Sequence, residues 1–231
     1  DLNGQSIANA VVVAGGTLSG GTITTSQVNG AAGRIASVLS GVGFTKAGTG
    51  TLVLAGNNTY TGTTAITGGT LRVERNTGSL PTGSPLTISS TAGLAGLTID
   101  NAGASGALTQ AIGPLSFQAG AGTVTLVRSA AQNLGLSASS LTVASGATGN
   151  LVPGGGTNSA ANGFAITGQS AGFMSTRLSY DGANFAWYDA GGFVRGINYG
   201  TDAGTQASAG GTTVSSTTHL QLTGNVTGQT T

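Results

Sequence analysis

Cysteine is absent from the 231 residues and charge is scarce: there are seven Lys and Arg, six Asp and Glu, and one His. Without thiols there are neither disulfides nor thiolate metal sites. Charged residues make up 6% of the chain, against roughly 25% in an ordinary soluble domain. The basic residues are scattered and the formal net charge is +1, so no cationic patch for nucleic acid or an anionic membrane surface is legible. No apolar run approaches the roughly 18 residues of a membrane-spanning helix, and no membrane insertion by this segment is expected. The chain opens on Asp1 with no basic or apolar leader; it is expected to be processed, or a fragment of something larger. Lack of cysteine suits a chain that crosses a membrane unfolded, and chance loss from a biased composition accounts for it too.

What is abundant is glycine, 43 residues of it, with Thr and Ser throughout. Disorder through low complexity needs low hydrophobicity or high net charge. Here 38% of residues are hydrophobic, grouped in short runs between glycines. Glycine recurs too often for helix interiors, and β-branched runs between Gly and Asn breaks read as strand and corner. The triplets Leu86-Thr87-Ile88, Leu97-Thr98-Ile99 and Leu141-Thr142-Val143 alternate with a period of two, placing aliphatic side chains on one face and Thr on the other. Strands so short cannot stand alone; they hold if each lies on the equivalent strand of the next turn. Residues 1–40 read as at least two such turns, with a looser loop or distorted turn over 29–43. Pro81 and Pro85 mark a corner or bulged edge, because proline cannot sit in a central strand.

One stretch carries a family resemblance. Lys46, Gly48-Thr49-Gly50-Thr51-Leu52, Leu54, Gly56-Asn57-Asn58-Thr59-Tyr60-Thr61-Gly62, Thr64, Ile66, Gly69-Thr70-Leu71 and Val73 resemble the autotransporter-associated β-strand repeat, or passenger-associated transport repeat, of large secreted bacterial proteins. The resemblance covers residues 44–73 alone. It implies a right-handed parallel β-helix on or beyond the bacterial surface, and it implies no catalytic residue. Asn57-Asn58 would either stack as an amide ladder along the axis or tolerate the left-handed backbone of a turn.

Composition shifts near residue 154. Eight of the eleven aromatic residues fall between Phe164 and Tyr199, with Asp181, Asp189, Asp202, Arg177 and Arg195 among or beside them. The dipeptides Asp181-Gly182 and Gly191-Gly192 indicate hairpin turns. The expected organisation is a solenoid over 1–160, an aromatic-rich hairpin unit over 161–205 packed on it, and a return to solenoid strands over 206–231.

The search for chemistry is largely negative. Glycan-cleaving enzymes need paired carboxylates, and Asp181 before Gly reads as a turn former. His219 is the lone histidine, read as a solvent-facing strand residue, and no nucleophile elbow accompanies it. No calcium nonapeptide or phosphate loop is complete. No catalytic residue, cofactor or metal is expected. One constellation remains: Trp187, Tyr188 and Tyr180 with Arg177 and Arg195 form either a platform for glycans or subunits, or the core of the hairpin unit with Arg stems laid over it. The fold expected is an all-β parallel solenoid with an aromatic hairpin unit. The function expected is a structural, non-catalytic segment of an extracellular bacterial surface fibre. It would continue into further repeats or stack end to end on copies of itself, since neither terminus reads as a cap. The alternative is an adhesin binding glycans through the aromatic unit.

Overall fold

A computed structural model describes residues 2–3, 5–7, 9, 11–25, 28–41, 43–208 and 218–223. Among them there is no helix. The chain winds as a parallel β-solenoid with three faces. The first coil carries β1 (Ser6–Ile7), β2 (Val11–Val13) and β3 (Thr17–Leu18); the second carries β4 (Thr22–Thr25), β5 (Val28–Gly30) and β6 (Gly33–Ile35). The third carries β7 (Val38–Gly41), β8 (Phe44–Lys46) and β9 (Thr51–Leu54). Residues 29–43, expected to be loose, therefore hold regular strands. Their rungs are only three or four residues long, and glycines at Gly30, Gly33 and Gly41 stand where the pattern needs side chains.

The next strands are β10 (Thr64–Ile66), β11 (Gly69–Glu74), β12 (Leu86–Asp100) and β13 (Leu108–Val127), followed by β14 (Leu134–Val143), β15 (Ala147–Val152) and β16 (Gly163–Ile166). On the second face β2, β5, β8, β10, the start of β12, the middle of β13 and the end of β14 stack in parallel. On the third face β3, β6, β9, β11 and the ends of β12 and β13 stack in turn, then β15. β12 and β14 each serve two faces and β13 serves three, and the register of the β12–β13 pairing shifts around Ser89 where the corner is turned.

Leu52, Leu71, Leu97, Val124 and Leu151 stand in one column on the third face, each buried. Each such side chain contributes about 1.5–3 kcal/mol on leaving water. Threonines at the intervening positions, Thr98 and Thr125 among them, point outward. Thr64 is the exception: it faces inward and shares a 2.6 Å hydrogen bond with the buried Tyr60 hydroxyl. Burial drives the Tyr60 pKa upward, against the opposing effect of that bond.

The first face is less regular. β1, β4 and β7 open it, and the starts of β13 and β14 with β16 complete it. Between them two coils lack a strand there, and buried amides replace the missing ladder. The Asn58 Oδ1 accepts from the Leu39 N–H at 2.9 Å, and its Nδ2 donates to the Gly56 and Ser79 carbonyls. Gln110 does the same for both backbone groups of Leu80, each at 3.0 Å. Neither expected role of the Asn57-Asn58 pair holds: Asn58 bridges backbone rather than another amide, and neither residue has a left-handed backbone.

The corner at Gly69 is as tight as side chains allow. Gly69 turns at φ +60°, and a Cβ there would strike the Gly48 and Gly50 carbonyls. At the same corner the fully buried Lys46 donates its three ammonium protons to the carbonyls of Ala47, Gly48 and Gly68, at 2.8–2.9 Å. Every ammonium donor is used, and desolvation lowers the Lys46 pKa.

The inward and outward assignment is testable. Leu97→Ala is expected to cost about 2–5 kcal/mol in urea unfolding, and its neighbour Thr98→Ala no more than about 0.5 kcal/mol. Equal costs would contradict the columns.

Candidate functional site

The last coil passes into an antiparallel meander: β17 (Gly172–Phe173), β18 (Leu178–Tyr180), β19 (Asn184–Tyr188) and β20 (Val194–Gly196). β18 pairs in parallel with β15 as the final rung of the third face, and antiparallel with β19. The hairpin between β18 and β19 turns at Asp181 (φ 55°) and Gly182 (φ 67°), two left-handed residues in succession as a type I′ turn requires. Asp189 makes the next turn, its Oδ1 accepting from the Gly191 N–H at 2.8 Å. β19 pairs with β17 on one edge and β20 on the other. Ala186, Tyr188 and Val194 belong to the same buried cluster as the solenoid columns. Beyond the meander β21 (Thr205–Ser208) and β22 (His219–Leu222) pair in parallel, Thr205 opposite His219. The rest of the expected return to solenoid strands, at 209–217 and 224–231, lies outside the described residues.

The aromatic residues are spent on closing the coil. Tyr188 is 5% exposed; its hydroxyl donates to the Ile166 carbonyl at 2.7 Å and accepts from the Ile166 N–H at 3.2 Å. One phenol thereby satisfies both backbone groups of Ile166 on β16. Trp187 is 8% exposed and lies under the Arg195 guanidinium, 5.7 Å from its ring centre. The half-buried Tyr180 accepts a 2.8 Å bond from Asn158, which also donates to the Val194 carbonyl. Burial, then the nearby Asp181 charge, raises the Tyr180 pKa. Trp187 and Tyr188 thus offer no open ring face.

Arg195 is equally committed. It bonds Asp189 through Nε at 2.8 Å and Asp202 through both terminal nitrogens, at 2.7 and 2.5 Å. The guanidinium bonds hold both carboxyls below their ordinary pKa and raise that of Arg195. Both acids are ionised at neutral pH, so neither has the raised pKa of a general acid. Asp100 and Glu74 are likewise paired, with Arg72 and Arg34. His219 is not free in solvent as expected: its ring stacks on Phe173 with centres 3.8 Å apart, and it is half-buried. No cluster of three His, Asp or Glu suited to a metal occurs among the described residues.

Arg177 lies apart from the other four expected contact residues, exposed on the outer side of the third face. There the outward positions Thr70, Gly96, Thr123, Asn150 and Ser179 follow one another in register. Two shallow depressions share Thr123. One, of about 610 Å³, is floored by Gly96 and edged by the exposed Leu94. The other, of about 190 Å³, is lined by Asn150, Thr148, Arg177 and Phe185. Asn150 and Phe185 were not singled out from sequence. For Asn150 the signal is alternation, since it sits at an outward position of ATGNLV; Phe185 precedes three buried residues in succession, Ala186, Trp187 and Tyr188, and no alternation marks it.

Residues 44–73 match the passenger-associated-transport-repeat family, and the chain carries that autotransporter-associated repeat. A 75-residue segment, 32% of this chain, is 41% identical to the adhesin BmaC autotransporter of Brucella suis biovar 1 (strain 1330). The match covers 2% of that protein's length. No solved structure matches the chain.

Two outcomes follow from this geometry. Tyr188→Phe strands the Ile166 N–H and leaves its carbonyl only the 3.3 Å bond from the Gln169 N–H; it is expected to lower stability by about 1–3 kcal/mol, read by thermal melting. The depressed carboxyl pKa values of Asp189 and Asp202 stabilise the fold above the unfolded value near 3.9. That contribution is lost as pH falls through the lower folded values. Melting followed from about pH 7 to pH 2 should show a shallower acid limb in Arg195→Met; an unchanged limb would contradict the clamp.

Proposed function

We propose that this chain is a non-catalytic, shape-bearing segment of a passenger displayed on a bacterial surface. The observation that carries the reading is the stack itself: coils in parallel register, with the transport repeat supplying four of its central rungs, β8 to β11. In that repeat each unusual residue serves a corner or a ladder. Lys46 ties a corner, Asn58 completes backbone bonds and Tyr60 fills the space between coils. The ionised side chains of the meander serve its loops in the same way, which leaves them out of acid–base work.

Similarity to an adhesin supports a surface setting, and the geometry favours covalent continuation over end-to-end stacking. The edge after β16 is occupied by Tyr188 and β17–β20, while parallel pairing resumes at β21 and β22. Solenoid, meander and solenoid in sequence suit a rod assembled from blocks along one chain, with the division falling at the meander.

Antibodies raised against the folded chain test the setting. Intact cells of the source bacterium are expected to be labelled, and a protease added outside them should remove the label. Labelling that requires permeabilised cells would overturn the proposal.

A further inference from the structure

Six of the seven basic side chains are occupied. Arg34, Arg72 and Arg195 pair with carboxylates; Arg75 and Arg128 donate to backbone carbonyls, and Lys46 is tied at its corner. Arg177 is the one cation among the described residues whose side chain bonds nothing in the protein. In a chain so poor in charge, an exposed and unspent guanidinium is a notable departure.

Its surroundings are prepared for a ligand. Phe185 shares the depression and is 39% exposed. The Phe173 ring meets it edge-on at 5.8 Å, which fixes its plane. Asn150 is anchored through Oδ1, which accepts from the Ser179 hydroxyl at 3.0 Å and the Gly182 N–H at 2.9 Å. The amide is thereby oriented, and its Nδ2 donor is bonded to no other residue. Thr123 and Thr148 add hydroxyls that point out of the sheet. A fixed ring, an oriented amide donor, hydroxyls and a planar cation are the groups that hold a sugar bearing a carboxylate: the ring meets its apolar face, and the guanidinium takes the carboxylate in a bidentate fork.

The site is also extended. Through Thr123 it opens into the larger depression over Gly96 and Thr70, crossing rungs spaced about 4.8 Å apart. That shape fits a polymer lying along the axis better than a compact anion. One cation beside neutral hydroxyls does not suit a polyphosphate, which calls for an array of basic groups.

We propose that the outer side of the third face, from Thr70 to Phe185, binds an acidic polysaccharide, with Arg177 holding a uronate carboxylate and Phe185 supporting the sugar ring. This site differs from the buried aromatic cluster around Trp187, and it stands independently of the surface-segment reading.

The test is calorimetric titration of the whole chain with polygalacturonate, hyaluronan and alginate, with dextran as the neutral control. At least one of the three acidic polymers is expected to bind and dextran is not. Arg177→Gln should weaken binding by about tenfold or more with an unchanged melting temperature, because its side chain holds nothing in the fold. Phe185→Leu should weaken it as well. Failure of all three acidic polymers to bind, equal binding of dextran, or full affinity in Arg177→Gln would overturn the proposal.

Discussion

Parallel stacking in register is the constraint on which everything else in this molecule depends. Each rung draws its backbone partners from the rungs before and after it, so one coil dictates the path of the next. A three-residue strand such as β8 or β10 has too little apolar surface to persist alone. It persists because Phe44 lies over Val28 and under Thr64, in a column that stays buried from Val28 through Leu86 to Leu115. Departures from regular strand have to be repaired with the same hydrogen bonds. Asn58, Gln110 and Asn162 do so: each buried side chain accepts from a backbone N–H of another segment, Leu39, Leu80 or Leu134. Primary amides suit this task because they carry a donor and an acceptor in the arrangement of a peptide group.

The same constraint creates a difficulty at the end of a stack, where a strand edge would lie open. Here the answer is a change of topology. β18 still obeys the parallel ladder, then reverses through Asp181 and Gly182 into a meander. Large rings, sparse elsewhere, are concentrated where a flat end must be covered. The Arg195 clamp pins the turn at Asp189 and the loop at Asp202 to one guanidinium, so the cover has fixed edges. Parallel pairing then begins again in β21 and β22.

How much of this was legible in the sequence depended on how far each feature repeats. The aliphatic columns and the central repeat were legible because period-two alternation and glycine corners recur coil after coil. The rungs at 29–43 were not, since three residues with Gly30, Gly33 and Arg34 among them show no alternation; pairing with neighbouring coils decides them. The role of Asn58 was hidden for a related reason: its partners, Leu39 and Ser79, lie in other coils. For the aromatic run, composition announced a distinct unit. Only coordinates separate Trp187 and Tyr188, turned inward, from Phe185, turned out. The free state of Arg177 became visible only once every other cation had been matched to its partner.

The widths of the third-face strands give the molecule a polarity. They grow from two residues in β3 to three in β6, four in β9 and six in β11, and Val12 in the first coil stays 72% exposed. Over these four coils the structure is a taper, slender in the first and broad in the fourth, whereas the final rung, β18, is again three residues long. Cohesion per coil rises along it, so fraying has a direction: backbone amides of the slender coils exchange with solvent ahead of those in the broad ones, and a chain refolding from denaturant would zip from its wide base to its tip.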